Sequence, residues 1–134
     1  MLTNFNEITV ELSTEEHEMV DVIIARFKAL PGRENVVTNT EMLTKLNERY
    51  GLKLKEPRIR KIIQFIRINN LLPGLIGTSS GYYYTENIEE IEKWILSMQE
   101  RERAIAQSRQ IAQNHVRVLK TRNAAPGEQP EIPF

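Results

Sequence analysis

The apolar positions of this chain fall into runs of different period, and each run predicts an element. Ile59, Ile62, Ile63 and Ile66 stand at i, i+3, i+4 and i+7, which gathers them on one face of a helix. Pro57 suits the first turn of that helix, where its missing N–H costs nothing, so the helix is expected from Pro57 to about Asn69. Upstream, Met19, Val20, Ile23, Ile24, Phe27 and Leu30 form another helical stripe. Ser13-Thr14-Glu15-Glu16 before it has capping-box form, and Pro31-Gly32 stops it. Thr38-Asn39-Thr40-Glu41 repeats the box and opens a helix to about Tyr50, with Met42, Leu43, Leu46 and Tyr50 inward. Gly51, which tolerates a left-handed backbone, ends that helix, and Leu52-Lys53-Leu54-Lys55 turns into the next.

The period then changes. Leu75–Gly77, a turn at Thr78–Gly81 and a return strand over Tyr82–Thr85 read as a β-hairpin, with Tyr82 and Tyr84 on one face and Tyr83 on the other. Strands this short need helices to lean on. After Asn87-Ile88-Glu89-Glu90, another helix start, a 3-4 spacing runs through Ile88, Ile91, Ile95, Met98, Glu102, Ile105, Arg109, Ala112, Val116 and Leu119. From Ile88 to Leu119 such a helix would extend roughly 45–50 Å, more than a domain of this size can cover. Its distal half is expected to bury its stripe on a second copy. At the N-terminal end, Ile8, Val10 and Leu12 alternate with polar residues and allow a short strand. Residues 124–134 have no periodicity and are expected to be disordered.

Charge sharpens this picture. The 18 basic and 18 acidic residues cancel, so bulk charge points to no partner, but the charges are segregated. Residues 1–32 are acidic, 53–67 basic, 86–100 acidic and 101–122 basic. In the helix from Pro57, Arg58, Lys61 and Arg67 are expected to point away from the isoleucine stripe, with Arg60 at its flank and Lys53 and Lys55 leading in. A cationic outer face suggests an anionic partner, although a basic face is often only a solvated surface.

Catalysis finds little support. With two distant histidines and no cysteine, neither a Cys–His pair nor a transition-metal cluster can be assembled locally. The runs Glu15, Glu16, Glu18 and Glu89, Glu90, Glu92 sit where carboxylates favour helix dipoles. Gly74, Gly77 and Gly81 lie in a hairpin context and match no phosphate-binding loop. No enzyme activity, cofactor or metal is expected. His17 is expected at the surface. The absence of cysteine fits a reducing compartment, the N-terminus lacks a secretory pattern, and no apolar run approaches membrane-spanning length, so a soluble, cytoplasmic protein is expected.

The sequence from Val36 to Thr85, and best from Gly51 to Tyr84, resembles the winged helix-turn-helix family. Arg58-Ile59-Arg60-Lys61-Ile62-Ile63-Gln64-Phe65-Ile66-Arg67 looks like its recognition helix. Leu71-Leu72-Pro73-Gly74-Leu75-Ile76-Gly77 with Gly81-Tyr82-Tyr83 is similar to the wing of biotin-operon-repressor-type proteins and small phage regulators. The resemblance implies double-stranded DNA binding, with the helix from Pro57 in the major groove. Arg58, Arg60, Lys61, Gln64 and Arg67 would then serve as base readers or phosphate contacts. Lys53 and Lys55 would touch backbone phosphate, as would Thr78, Ser79 and Ser80 at the wing tip. Two departures stand out: a longer turn between Leu46 and Pro57, and a wing tip without Lys or Arg.

The expected architecture is mainly α with a small β-hairpin: a lead-in over 1–12, a winged helix-turn-helix domain over 13–86, a coiled-coil-like dimerisation helix over 87–122 and a tail over 123–134. Ile95, Met98, Ile105, Ala112, Val116 and Leu119 would form the homodimer seam. Trp94 is expected in the core or that interface, and the tyrosines are expected to pack on the helices more readily than to stack on bases. The implied function is a dimeric transcriptional or replication regulator of phage or mobile-element type. The alternative is a protein–protein assembly module that uses the same fold without DNA.

Overall fold

The computed structural model describes residues 11–124 and 131–133. The alternating pattern through Ile8 and Val10 and most of the tail lie outside these residues; Leu12 is described and buried. In chain order the described elements are α1 (Thr14–Ala29), a 3-10 turn (Arg33–Asn35), α2 (Asn39–Tyr50), α3 (Glu56–Ile68), β1 (Leu75–Thr78), β2 (Gly81–Tyr84) and α4 (Ile88–Asn123). The protein is mainly helical, with one antiparallel hairpin and a long C-terminal helix. By compactness the chain divides at Ile91 into a globular unit and a C-terminal one.

Each helix starts and stops for a local reason. At α1 the Ser13 hydroxyl accepts from the Glu16 amide at 3.2 Å, and the Glu16 carboxylate accepts from the Ser13 amide at 2.8 Å. At α2 only half of the box forms: Thr38 accepts from the Glu41 amide, but the Glu41 carboxylate takes the Thr38 hydroxyl instead of a backbone N–H. Gly51 ends α2 at φ 63°, ψ 29°. Asn47 then clamps the turn, donating to the Leu54 carbonyl at 3.0 Å and accepting from the Leu54 amide at 2.9 Å. Pro57 lies in the first turn of α3. That helix ends in a Schellman arrangement about Asn70 at φ 53°, with the Leu71 amide on the Ile66 carbonyl and the Asn70 amide on that of Arg67.

The core of the globular unit is the sum of the helix stripes. Met19, Val20, Ile23 and Phe27 of α1, Met42 and Leu46 of α2, and Ile59, Ile62, Ile63 and Ile66 of α3 are buried together with Leu12, Val37, Leu72, Leu75 and Tyr84. Two expected core positions are corrected: Leu30, which caps α1, and Tyr50, the last residue of α2, are exposed. Stripes lose their burial at helix ends, where the chain turns away from the core.

The hairpin pairs Leu75 with Tyr84, Ile76 with Tyr83 and Gly77 with Tyr82. Tyr84 and Leu75 belong to the main core with Tyr82 packed against it, while Tyr83, on the other face, is also buried. The hairpin leans on the link between α1 and α2 through backbone bonds. Val37 and Tyr82 exchange two hydrogen bonds of 2.9 and 2.8 Å, and the Gly32 amide donates to the Tyr84 carbonyl at 2.8 Å. Gly81 makes that approach possible: at φ 123° a Cβ there would lie 2.4 Å from the Val37 carbonyl oxygen.

Glu90 does more than favour a helix dipole. It accepts from the Tyr83 hydroxyl at 2.9 Å and from the Thr85 hydroxyl at 3.1 Å, while Asn87 caps the helix at the Glu90 amide. Arg33 lies over the Tyr83 ring, donates to its hydroxyl and holds its own guanidinium in the protonated form more firmly through that bond. The start of α4 is thereby tied to the hairpin.

Candidate nucleic-acid interface

The isoleucine stripe fixes the rotation of α3, and that rotation decides which polar residues can reach a partner. With Ile59, Ile62, Ile63 and Ile66 inward, Arg60, Gln64 and Arg67 share one exposed ridge at i, i+4 and i+7. Arg60 is exposed on the flank of the stripe that faces the hairpin. It bonds Glu56 one turn earlier at 2.6 Å, a pair open to solvent on both sides. The ridge borders the hairpin: Arg60, Gln64, Arg67 and Ile68 line a shallow groove whose other wall is Tyr82. Gly77 opposite lacks a side chain where the Tyr82 ring and the Arg67 guanidinium crowd in; a Cβ there would meet them at 3.0 and 3.5 Å. Arg67 thus lies against the hairpin.

Arg58 is the main correction. Expected on the outer face, it turns towards α1 and forms a two-pronged ion pair with Glu16, Nε and Nη2 each donating at 2.7 Å, and Nη2 also reaches the Glu11 carbonyl at 3.0 Å. Its side chain is 13 % exposed and that of Glu16 6 %. Burial works to raise the Glu16 carboxyl, but the Arg58 guanidinium and the Ser13 amide and hydroxyl outweigh it and hold the group below the usual glutamate value. A guanidinium so engaged joins α3 to α1. Lys61, one turn on and half-buried, shares this flank with Phe65, whose ring meets His17 of α1 edge-on at 5.2 Å. Phe65 thus faces α1, while Lys61 and the ridge of Arg60, Gln64 and Arg67 make up the polar side of α3.

Lys53 and Lys55 are exposed in the turn before α3, Lys55 as its N-cap residue. At the hairpin tip Ser79 and Ser80 are exposed, but the Thr78 hydroxyl is engaged within the turn. It donates to the Gly81 carbonyl at 3.0 Å and accepts from the Ser80 amide at 3.1 Å, so its proton is not available to a phosphate. Glu16 was missed as a partner of Arg58. The capping box accounts for it fully within the sequence, and nothing there indicates a second role 42 residues away.

On α4, Ile95, Ile105, Ala112, Val116 and Leu119 of the expected seam are exposed, and Met98 and Trp94 are half-buried. Ile111 and Val118 are exposed apolar residues off the seam, which the 3-4 spacing did not single out. Among the described residues no group of acidic or histidine side chains could hold a metal ion, and no helix is long and apolar enough to cross a membrane. No protein-family model, curated protein or solved structure matches this chain.

Proposed function

We propose that this chain is a winged helix-turn-helix protein that binds double-stranded DNA as a homodimer and acts as a cytoplasmic transcriptional or replication regulator. The observation that carries this reading is the ridge of Arg60, Gln64 and Arg67 on α3, bordered by the hairpin, with Lys53 and Lys55 exposed in the turn that precedes the helix. The order of helix pair, turn, cationic helix and hairpin is that of the family the sequence resembles, with a longer turn. In the major groove, Arg60 and Arg67 offer paired donors to guanine edges or phosphate, and Gln64 offers both a donor and an acceptor to adenine. Ser79 and Ser80 would meet phosphate at the hairpin tip. Arg58 and Thr78 serve the fold in this reading, and Lys61 adds a further cation on the polar side of α3.

Fluorescence anisotropy on mixed-sequence duplex DNA over a salt series tests it, comparing wild type with the double variant Lys53→Ala/Arg60→Ala. Binding should weaken steeply with salt, and the logarithmic slope should become shallower by roughly one to two in the variant, since each lost phosphate contact removes about 0.9. No binding at low salt by folded protein would overturn the reading. The assembly-module alternative, which the exposed Ile68 and Leu71 beside the ridge favour, would then take its place.

A further inference from the structure

The exposed seam of α4 carries two charged residues in its core positions, and they discriminate between ways of covering it. In the 3-4 spacing, Ile88, Ile95, Glu102, Arg109 and Val116 occupy the first apolar position of successive heptads, and Ile91, Met98, Ile105, Ala112 and Leu119 the second. A parallel, in-register pair sets identical residues against each other. Glu102 would meet Glu102 and Arg109 would meet Arg109, two like-charge layers inside one interface. An antiparallel pair matches first positions to second ones. With Ile105 opposite Arg109 of the second copy, Met98 falls opposite Val116, Ile95 opposite Leu119, and Glu102 opposite Ala112. Glu102 then stands about 4.5 Å along the axis from Arg109 of the second copy, and two-fold symmetry repeats the attraction.

The flanking positions agree. In the same register Glu92 faces Lys120 of the second copy, and Trp94 faces Arg122, a cation over an indole. Small residues, Ala106 and Ser108, border the crossing point, where each meets its own counterpart. The parallel pairing offers Arg101 to Ala106, Ser108 to Gln113 and His115 to Lys120, with no opposite charges among them. Sliding the antiparallel pair by one heptad replaces Lys120 by Gln113 opposite Glu92.

We infer that α4 is covered by the α4 of a second copy running in the opposite direction, in the register that sets Met98 against Val116. This rests on the dimeric reading proposed above and adds its direction. At 1.5 Å per residue the two Ile91 residues, where the globular units join the helices, lie about 48 Å apart along the pair, whereas a parallel pair brings them side by side. The points where the two globular units attach are therefore held apart by the helix pair and not brought together at one end.

The chain has no cysteine, so single introduced thiols report pairing directly. Full-length Met98→Cys and Val116→Cys proteins, one carrying a mass tag, would be mixed and mildly oxidised, beside sedimentation equilibrium of the wild type. Cross-links between the two variants, with few within either, are expected. Cross-links within each variant only would overturn the antiparallel arrangement while leaving the dimer standing. A monomer in sedimentation with no cross-link in any mixture would overturn the dimer itself. A charge exchange adds a second readout. Arg109→Glu alone should weaken dimerisation roughly tenfold, and Glu102→Arg/Arg109→Glu should restore it. Failure of the double variant to recover would count against the opposed charges.

Discussion

Helices α3 and α4 carry the same kind of signal and end in opposite situations. Each places apolar residues at three- and four-residue intervals. In α3 the four isoleucines of the stripe, Ile59, Ile62, Ile63 and Ile66, are at most 1 % exposed, whereas Ile105 of α4 is 68 % exposed. The difference lies in what surrounds each helix. Helix α3 packs against α1 and α2, and its stripe meets Met19, Ile23, Phe27 and Leu46 in one core. Helix α4 has no buried residue along its 36 positions. Periodicity states that a face exists; whether that face is filled depends on partners elsewhere in the fold or beyond it.

The largest expected effect is on the filled face. Ile62→Ala should cost about 4 kcal/mol of unfolding free energy, read by urea denaturation, because a fully enclosed side chain leaves a cavity that its neighbours cannot close. Ile105→Ala should leave the stability of the globular unit within about 0.5 kcal/mol and act only on self-association. If the two substitutions destabilise the globular unit equally, the comparison fails.

Charge should follow the same contrast with smaller effect. Arg58→Ala strands the Glu16 carboxylate among helices and should cost about 2–3 kcal/mol, less than a wholly enclosed pair because its edge opens to water. Arg109, also on a helix, instead bonds Gln113 one turn along, in solvent at 3.5 Å. Arg109→Ala should change unfolding of the globular unit by less than about 0.5 kcal/mol.

The smallest expected effect is a pH dependence confined to the filled face. The Arg58 guanidinium and the Ser13 amide and hydroxyl outweigh burial and hold the Glu16 carboxyl below the usual glutamate value in the folded protein. Its contribution is therefore complete above the unfolded value and is lost as pH falls through the lower folded one. Wild-type stability should decline on acidification from about pH 4.5, and Glu16→Gln should remove part of that slope, as thermal melts from pH 7 to pH 3 would reveal. An unchanged slope in Glu16→Gln would place the acid sensitivity in other carboxylates.

Much of the fold was legible along the chain because local chemistry sets it. Ser13 and Thr38 start helices, Gly51 stops one, and the Gly-Tyr-Tyr-Tyr run returns the hairpin within a residue of the expected bounds. These features depend on neighbours within a few positions, where backbone hydrogen bonds and φ preferences act. The bridge of Val37 to Tyr82 was not legible, since a single residue leaves no period to detect. Nor could the sequence tell which border of the α3 stripe meets α1: Arg58 and Arg60 lie about 200° apart on opposite borders, and packing alone decides which is captured.

By itself, then, the amino-acid order determined where helices and hairpin lie, which side of each is apolar, and that α4 carries a face longer than one small domain can cover. Tertiary structure alone decided that Glu16 captures Arg58, that Thr78 closes its own turn, and that Arg60, Gln64 and Arg67 form the outer ridge. The reason is physical. Capping and periodicity act over one or two turns of chain, whereas an ion pair spanning 42 residues exists only once packing has set two helices side by side and removed the water between them.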